Sequence, residues 1–294
     1  MSNSIDLVTK FLEVLDTVYK QESKSVMLDA LTQSPSFLNA NEIKVMQLST
    51  VGLGTYSRTT GYPAGDITAE WVTMTLAAER GRAFTLDRMD NEESLGLILG
   101  RLIREWVRVH VAPELDAYRF AKYATGAGNV VGSGATLSSG TIVAALKAAE
   151  LALSEDEVPE EGRICFITPT CKQYLEAAIT RELENQKVAN TLLDVYDNMP
   201  LVPVPQSRFY TAITLNAGAT SDAGGYAKGG SAKDINFMIV HPPAVCQPVK
   251  LNQIKYFSPD VNQTTDGHLW QSRIYHDAFV YDNKENGIYL HHKA

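Results

Sequence analysis

Apolar and polar positions alternate with the two-residue period of a β-strand in two segments between residues 43 and 88. This alternation predicts two strands, Ile43–Thr50 and Ile67–Arg88, joined by the glycine-rich tip Gly52–Asp66. Arg80-Gly81 predicts a β-bulge in the returning strand. A two-stranded ribbon is at best marginally stable in water, and this one carries apolar residues on both faces. We therefore expect the hairpin to lie on a neighbouring subunit.

A helical period follows the hairpin. Asp90 predicts an N-cap and Glu93, three residues later, completes a capping box. Apolar residues then recur at helical spacing, and helix-permissive residues continue to Thr125, where Gly126 ends the pattern. The prediction is one soluble helix of about 35 residues, roughly 50 Å long. Pro113 removes a backbone donor and predicts a kink or short break within it.

The remaining pattern predicts an amphipathic helix at the N-terminus and an α/β unit after the long helix. The N-terminal helix, Ile5–Tyr19, has Phe11 and Leu15 on its apolar face and forms an arm that must dock. Asn216–Ala232, rich in Gly, Ala and Ser, predicts a mobile surface loop. The other predicted elements are the helices Thr141–Leu153 and Pro169–Leu175 and the strands Arg163–Thr168, Leu201–Val204, Ile235–Val240, Ala244–Phe257, Leu269–Tyr281 and Ile288–Leu290.

Composition agrees with a soluble protein of one large or two modest domains, with 294 residues of which 45% are hydrophobic and 20% charged. The N-terminus has no basic region followed by an apolar core, and no apolar run reaches membrane-spanning length, so we expect an intracellular origin and no membrane contact. The net charge of −8 argues against a protein that wraps nucleic acid. Cys165, Cys171 and Cys246 have no C-x-x-C spacing and are predicted to be buried reduced thiols.

Motifs that carry chemistry are missing from the sequence. It has no phosphate-binding loop G-x-x-x-x-G-K-[ST], no H-E-x-x-H and no G-x-S-x-G. Gly126-x-Gly128 follows a predicted helix instead of a strand, which favours a helix stop over a dinucleotide site. A metal site is weighed and not expected, since strand and tail histidines usually face solvent or make one hydrogen bond; its candidate ligands are His268, His276, His291, His292, Asp266 and Asp277. We expect no catalytic residue, no metal and no cofactor.

Three arginines form a stripe on the predicted long helix. Arg101, Arg104 and Arg108 are spaced i, i+3 and i+7, which places their guanidinium groups along one face. The stripe is consistent with an exposed helix face on which an Arg101–Glu105 pair reduces the repulsion between the arginines. It is also consistent with pairing to carboxylates of another subunit or with binding to nucleic acid. Spacing alone does not separate these three interpretations.

Seven short motifs follow one another in a characteristic order. They are Val18–Lys24 (VYKQESK), Ser49–Arg58 (STVGLGTYSR), Glu79–Asp87 (ERGRAFTLD), Asp90–Glu93 (DNEE), Pro113–Arg119 (PELDAYR), His241–Val245 (HPPAV) and Asp277–Lys284 (DAFVYDNK). With them the chain resembles, over essentially its whole length, the major capsid proteins of tailed bacteriophages, which have the Hong Kong 97-type fold. That resemblance implies an α+β fold with an N-terminal arm, an extended β-hairpin loop, a long spine helix in a peripheral domain, and an α/β axial domain.

The resemblance also implies boundaries and partners. The expected divisions are an arm 1–42, a hairpin loop 43–90, a spine helix 91–138, an axial domain 139–245 and late strands 246–294. The implied function is a structural protein that assembles into pentamers and hexamers of an icosahedral head enclosing double-stranded DNA, made in the host bacterial cytoplasm. A separate scaffolding protein, a head maturation protease and a portal are implied partners. The expected contacts between subunits are Phe11, Leu15, Tyr56, Arg58, Trp71, Met74, Arg101, Arg104 and Arg108.

One property of that family does not carry over. Its known isopeptide crosslink joins a loop lysine to a neighbour's asparagine, yet no lysine lies between Lys44 and Lys122. We therefore expect a shell held by non-covalent contacts. Two alternatives stay open at this point: an encapsulin-like bacterial compartment with the same fold, and a soluble α/β enzyme, which would need an acid, base or nucleophile set that the sequence does not display.

Overall fold

The computed structural model of the chain describes residues 23–29, 42–88, 105–132, 137–179, 194–218 and 223–293, which form a mixed α+β fold. The helices are α1 Val26–Asp29, α2 Ala112–Thr125, α3 Ile142–Glu155 and α4 Pro169–Ala178, with a π-helical turn at Val107–Val111. The strands are β1 Glu42–Thr50, β2 Ile67–Thr75, β3 Ala78–Asp87, β4 Asn129–Gly132, β5 Ile164–Ile167, β6 Val195–Tyr196, β7 Met199–Pro203, β8 Ile213–Leu215, β9 Tyr226–Lys228, β10 Ile235–Val240, β11 Val245–Cys246, β12 Val249–Phe257, β13 Gly267–His276, β14 Phe279–Val280 and β15 Ile288–His292.

The largest sheet has six strands in the order β4-β15-β10-β5-β7-β6, with parallel pairs β15/β4 and β5/β7 and antiparallel pairs elsewhere. Helices cover both faces. Along β5, Cys165 and Ile167 point to the cluster shared with α3 and α4, while Ile164 and Phe166 point to the cluster shared with α2. Both faces are therefore dry, which explains why these strands read as continuous apolar runs in the sequence.

Residues close together in the sequence determine where helices begin and end in this unit. The Thr168 side chain caps α4 by accepting a hydrogen bond from the Cys171 N–H, and Pro169 opens the helix. Helix α2 ends before Gly126, whose N–H donates to the Lys122 carbonyl. The three cysteines are buried and unbridged, as predicted.

A second sheet, β12-β13-β3, packs against the helical segment that leads into α2. The buried residues between them are Val107, Val111, Leu115, Trp270 and Ile274. The break expected at Pro113 is not present, because residues 107–125 are helical throughout; in its place the helix widens into the π turn, which ends immediately before α2 begins. There the Ala112 N–H donates to the Val107 carbonyl, five residues back, so Pro113 falls in the first turn of α2, where its missing N–H costs little.

Three segments predicted as single strands are each broken in two. Ile67–Arg88 divides at Leu76-Ala77: β2 pairs with β1, whereas β3 leaves the hairpin and pairs with β13. Ala244–Phe257 begins as a 3-10 turn and divides at Gln247-Pro248, and Leu269–Tyr281 divides at Asp277-Ala278. At Pro248 the missing backbone donor accounts for the break. The other two follow from tertiary contacts that a local pattern does not contain.

Gly81 marks a close approach of two strands and not the predicted bulge. The register of β3 against β13 runs without a shift from Ala78 to Asp87. A Cβ atom on Gly81 would lie 2.8 Å from the Ser272 carbonyl oxygen. The glycine is thus needed because there is no room for a side chain between the strands.

The segment predicted as one surface loop, Asn216–Ala232, contains the strand β9, which pairs with β8. The loop prediction is wrong at that strand. Arg80 holds the flanking turns, since its guanidinium group donates to the Asn216 and Gly225 carbonyls at 2.8 and 3.1 Å and pairs with the Glu114 carboxylate. Because Arg80 lies on β3, the turns are attached to the three-stranded sheet.

Several predicted features lie outside the described residues. They are the arm helix with Phe11 and Leu15, the capping box at Asp90 and Glu93, and the arginines Arg101 and Arg104. Among the helices within the described ranges, none combines the length and apolar character that a membrane span requires.

Candidate functional site

Exposed apolar side chains concentrate on the β1–β2 hairpin and its tip. Of the sixteen large hydrophobic residues that are exposed in the described part of the chain, eight fall between residues 46 and 71. They are Met46, Leu48, Val51, Leu53, Tyr56, Tyr62, Ile67 and Trp71. Single exposed apolar residues are ordinary, but a contiguous group of this size marks an interaction surface.

The strand register separates the hairpin into two unlike faces. Met46 lies directly opposite Trp71, and Thr50 opposite Ile67, so these side chains share one face. We call the surface formed by Met46, Leu48, Ile67, Ala69 and Trp71 the apolar face. The opposite face carries polar pairs over the same length. They are Gln47 with Glu70 and Ser49 with Thr68.

The base of the hairpin is fixed to the rest of the chain. Ile43, Met74 and Leu76 are buried in a cluster that includes Tyr275 and Phe279. Met74 is only 7% exposed there, so little of its side chain is open to the contact between subunits predicted from the sequence. The alternation along β2 does not show which face the chain's own late strands cover.

The tip has a defined turn instead of an irregular coil. Ser57 and Gly61 exchange backbone hydrogen bonds of 3.1 and 2.8 Å, and Gly61 adopts a φ of 84°. The rings of Tyr56 and Tyr62 pack at 4.9 Å between centroids. Arg58 is exposed within the turn. Two aromatic rings and one guanidinium group are thus presented at the far end of the apolar face.

A buried carboxylate holds the segment that enters the fold before the hairpin. Asp116 on α2 is fully buried and accepts hydrogen bonds from the Ser23 hydroxyl at 2.6 Å and from the Ser25 N–H and hydroxyl at 3.1 and 2.9 Å. Arg208 adds an ion pair at 3.2 Å. Asp116 and Ser23 stand in two of the sequence motifs, but nothing in either motif shows that they meet. The network ties residues 23–25 to α2.

The residues weighed as metal ligands make their contacts with other side chains. His268 is hydrogen-bonded to Tyr256 at 2.6 Å, and His291 to Asn236 at 3.1 Å. His276 packs edge-on against Tyr118 with 5.2 Å between ring centroids. Within the described ranges, no group of three or more His, Cys, Asp or Glu side chains is placed to hold a metal ion.

Of the arginine stripe, Arg108 lies within the described residues. Its guanidinium group pairs with the Glu105 carboxylate, with a shortest distance of 2.6 Å, and both side chains are more than half exposed. An exposed pair of this kind contributes about 0.3–0.5 kcal/mol. The pair keeps Arg108 on the surface and leaves all three interpretations of the stripe open.

Comparison with known proteins shows which solved structures have a similar architecture. No protein-family model matches the chain, and no curated protein matches its sequence. Among solved structures, the mature capsid of bacteriophage PhiM1 has a TM-score of 0.62 at 10% identity, over 90% of this chain and 85% of that one. The capsid of Cyanophage P-SCSP1u has a TM-score of 0.60 at 13% identity, over 90% and 86%. The capsid of an empty GTA particle has a TM-score of 0.54 at 12% identity, over 90% and 89%.

Sequence identities this low carry information about the fold alone. The agreement nevertheless covers about nine-tenths of the chain, and it extends to phages and to a GTA particle. It confirms the resemblance found in the sequence motifs. The chain has the fold of phage capsid proteins.

Proposed function

We propose that the chain is the major capsid protein of a tailed bacteriophage, with the Hong Kong 97-type arrangement of arm, hairpin loop, spine helix and axial domain. Copies assemble into pentamers and hexamers that form an icosahedral head around double-stranded DNA. The observation that carries the proposal is the apolar face, Met46, Leu48, Ile67, Ala69 and Trp71, on a hairpin that extends from a capsid fold.

The size of this face supports a contact between copies. The face spans five residues of each strand, or about 17 Å, and two strands with their side chains are roughly 10 Å wide, so it covers about 170 Å² in projection. Together with the exposed apolar side chains of the tip, Val51, Leu53, Tyr56 and Tyr62, it reaches the few hundred Å² at which an exposed apolar patch marks a binding site. A single contact of this area is weak, but a closed shell repeats it at every subunit. The partner we propose is therefore another copy of the chain.

Other residues are proposed to add to the contact. Tyr56 and Arg58 lie at the tip, where they reach furthest from the base of the hairpin. Phe11 and Leu15 on the arm, together with the arginine stripe Arg101, Arg104 and Arg108, complete the set proposed from the sequence. The contacts are non-covalent because no lysine lies between Lys44, at the base of the hairpin, and Lys122, so the outer hairpin and its tip have no amine for an isopeptide bond.

The assembly proposed here needs other components. A separate scaffolding protein, a maturation protease and a portal take part during assembly in the host bacterial cytoplasm, and the product is the virion head. The chain holds DNA with little specific binding, since its net charge of −8 gives no overall attraction for phosphates. The role is structural and not catalytic.

Expression of the protein alone and with a co-encoded scaffold candidate tests the proposal. Sedimentation and negative-stain electron microscopy are expected to show closed shells, tubes or rings of five or six subunits. A monodisperse monomer under every condition would reject the proposal. Shells that form without a scaffold and enclose a protein cargo in place of DNA would favour a compartment instead.

A further inference from the structure

Three breaks in the strand pattern meet at one buried residue. The chain leaves β2 for β3 at Leu76-Ala77, leaves β11 for β12 at Gln247-Pro248, and leaves β13 for β14 at Asp277-Ala278. At each break the chain passes between the three-stranded sheet and the smaller strand pairs beside it, β1–β2 and β11–β14. Asp277 is hydrogen-bonded to a residue at each of the other two breaks, Ala77 and Pro248.

The Asp277 side chain is 1% exposed, and both of its carboxylate oxygens accept hydrogen bonds. Oδ2 accepts the Ala77 N–H at 2.7 Å, which is the last backbone donor before the chain enters β3. Oδ1 accepts the Tyr118 hydroxyl at 2.9 Å and the Ala278 N–H at 2.8 Å. The Asp277 N–H itself donates to the Pro248 carbonyl at 3.1 Å.

The contacts on the far side of Asp277 belong to helix α2. Tyr118 lies on α2, and Lys122, one turn later, places its ammonium group 3.7 Å from Oδ1. Next to this site the Tyr275 hydroxyl donates to the Leu76 carbonyl at 2.9 Å. The backbone at the base of the hairpin is thereby hydrogen-bonded on both sides of the Leu76-Ala77 break.

We propose that Asp277 is a positioning residue that sets the direction in which the β1–β2 hairpin leaves the three-stranded sheet. The inference rests on the proposed function, because the direction of the hairpin decides where its apolar face meets a neighbouring copy. Asp277 touches no neighbour itself. It acts by holding the Ala77 amide at a fixed distance from helix α2.

An ionised carboxylate suits this position because it is an acceptor on both oxygens. Asparagine has nearly the same shape, but its NH₂ group would face either the Ala77 N–H or the pair of donors on the other side. At least one donor then loses its acceptor: the Ala77 N–H in one orientation, or the Tyr118 hydroxyl and the Ala278 N–H in the other. The Asp277→Asn variant therefore changes the hydrogen bonding at the base of the hairpin without opening a cavity.

The experiment measures the hairpin direction in full-length, unassembled subunits. Spin labels are attached at Thr68→Cys, which is exposed on β2, and Lys147→Cys, which is exposed on α3, with the three native cysteines buried. Labelled protein is diluted with unlabelled protein so that only pairs within one chain contribute. With Asp277→Asn, the distance distribution is expected to shift or to become about twofold wider, and the Ala77 amide is expected to exchange its hydrogen faster.

The matched control is Asp116→Asn, a second buried carboxylate with several donors, none of which belongs to the hairpin. It is expected to lower stability and to speed exchange at Ser25, while the label distances stay those of the unmodified chain. A folded Asp277→Asn protein with an unchanged distribution would overturn the proposal, as would an equal change in the control.

A second variant keeps the test decisive where Asp277→Asn does not fold. Tyr118→Phe removes one hydroxyl and with it the bond that joins Asp277 Oδ1 to helix α2, and the same direction of change is expected to a smaller extent. Wild-type distances in that variant would then overturn the inference. These measurements do not depend on shell formation, so a failure of the unmodified chain to assemble would reject the proposed function alone.

Discussion

Replacing Trp71 by glutamate tests the apolar face most directly. The Trp71 side chain is 59% exposed, which leaves about 150 Å² available on a residue of roughly 250 Å². At about 25 cal/mol per Å², full burial of that area on a neighbour stabilises the contact by about 3–4 kcal/mol. Trp71→Glu forfeits this stabilisation and adds a carboxylate that the contact would have to desolvate. Each hairpin contact is then weakened by at least about 150-fold.

The expected result is a loss of closed shells with the subunit still folded. Trp71 lies on the outer part of the hairpin and makes no contribution to the buried cluster at its base, so the unfolding temperature stays close to that of the parent chain. Thr68→Glu is the control, because it adds the same charge to the same strand on the opposite face. Sedimentation velocity and negative-stain electron microscopy of both variants, with circular dichroism for the fold, provide the comparison.

The reasoning would be refuted by normal yields of closed shells from Trp71→Glu. Equal losses from Trp71→Glu and Thr68→Glu would also contradict it, since the hairpin would then tolerate no charge on either face. A drop in the unfolding temperature of Trp71→Glu alone would mean that the residue stabilises its own chain instead.

Three further predictions concern the fold that supports the hairpin. Gly81→Ala is expected to lower the melting temperature, because its Cβ would lie 2.8 Å from the Ser272 carbonyl oxygen. Gly52 has open space around it, so Gly52→Ala is expected to leave the melting temperature unchanged. Thermal melts of both variants check this prediction. Asp116→Ala leaves buried donors without their acceptor and is expected to lower the free energy of unfolding, measured in urea, by about 3–5 kcal/mol. A decrease of less than about 1 kcal/mol would show that the Asp116 hydrogen bonds do not stabilise the fold. Burial, with the cations Arg119 and Arg80 nearby, lowers the pKa of His276 to about 3 in the folded chain. Between pH 6.5 and pH 3 the His276 side chain is therefore protonated in the unfolded chain and neutral in the folded chain. Stability should therefore fall as the pH drops from 6.5 towards 3, by up to about 1.4 kcal/mol per pH unit, and urea titrations of His276→Phe at several pH values should show a shallower fall.

The elements that depend on local chemistry were predictable from the sequence. The Thr168 cap, the stop at Gly126, the strands β1, β5 and β10 and the exposed glycine-rich tip all follow from residues close together in the chain. The ordered motifs also led to the capsid fold, which the solved structures confirm. Trp71 was identified as a contact candidate, and it lies on the exposed apolar face.

The features missed are those that depend on partners far away in the chain. The break at Leu76-Ala77 contains neither glycine nor proline, and it is stabilised by Asp277, two hundred residues later. Met74 alternates with Trp71 like any strand residue, and only the packing of Tyr275 and Phe279 decides that it is buried.

The sequence by itself determined the capsid fold class, the existence of the hairpin and the positions of its apolar residues, because periodicity, capping and turn chemistry act over a few residues. The tertiary structure decided which face of the hairpin is left open and where β3 leaves it for another sheet. Those outcomes depend on contacts such as Asp277 with Ala77 and Gly81 with Ser272, which bring together residues that are distant in the chain and have no local signature.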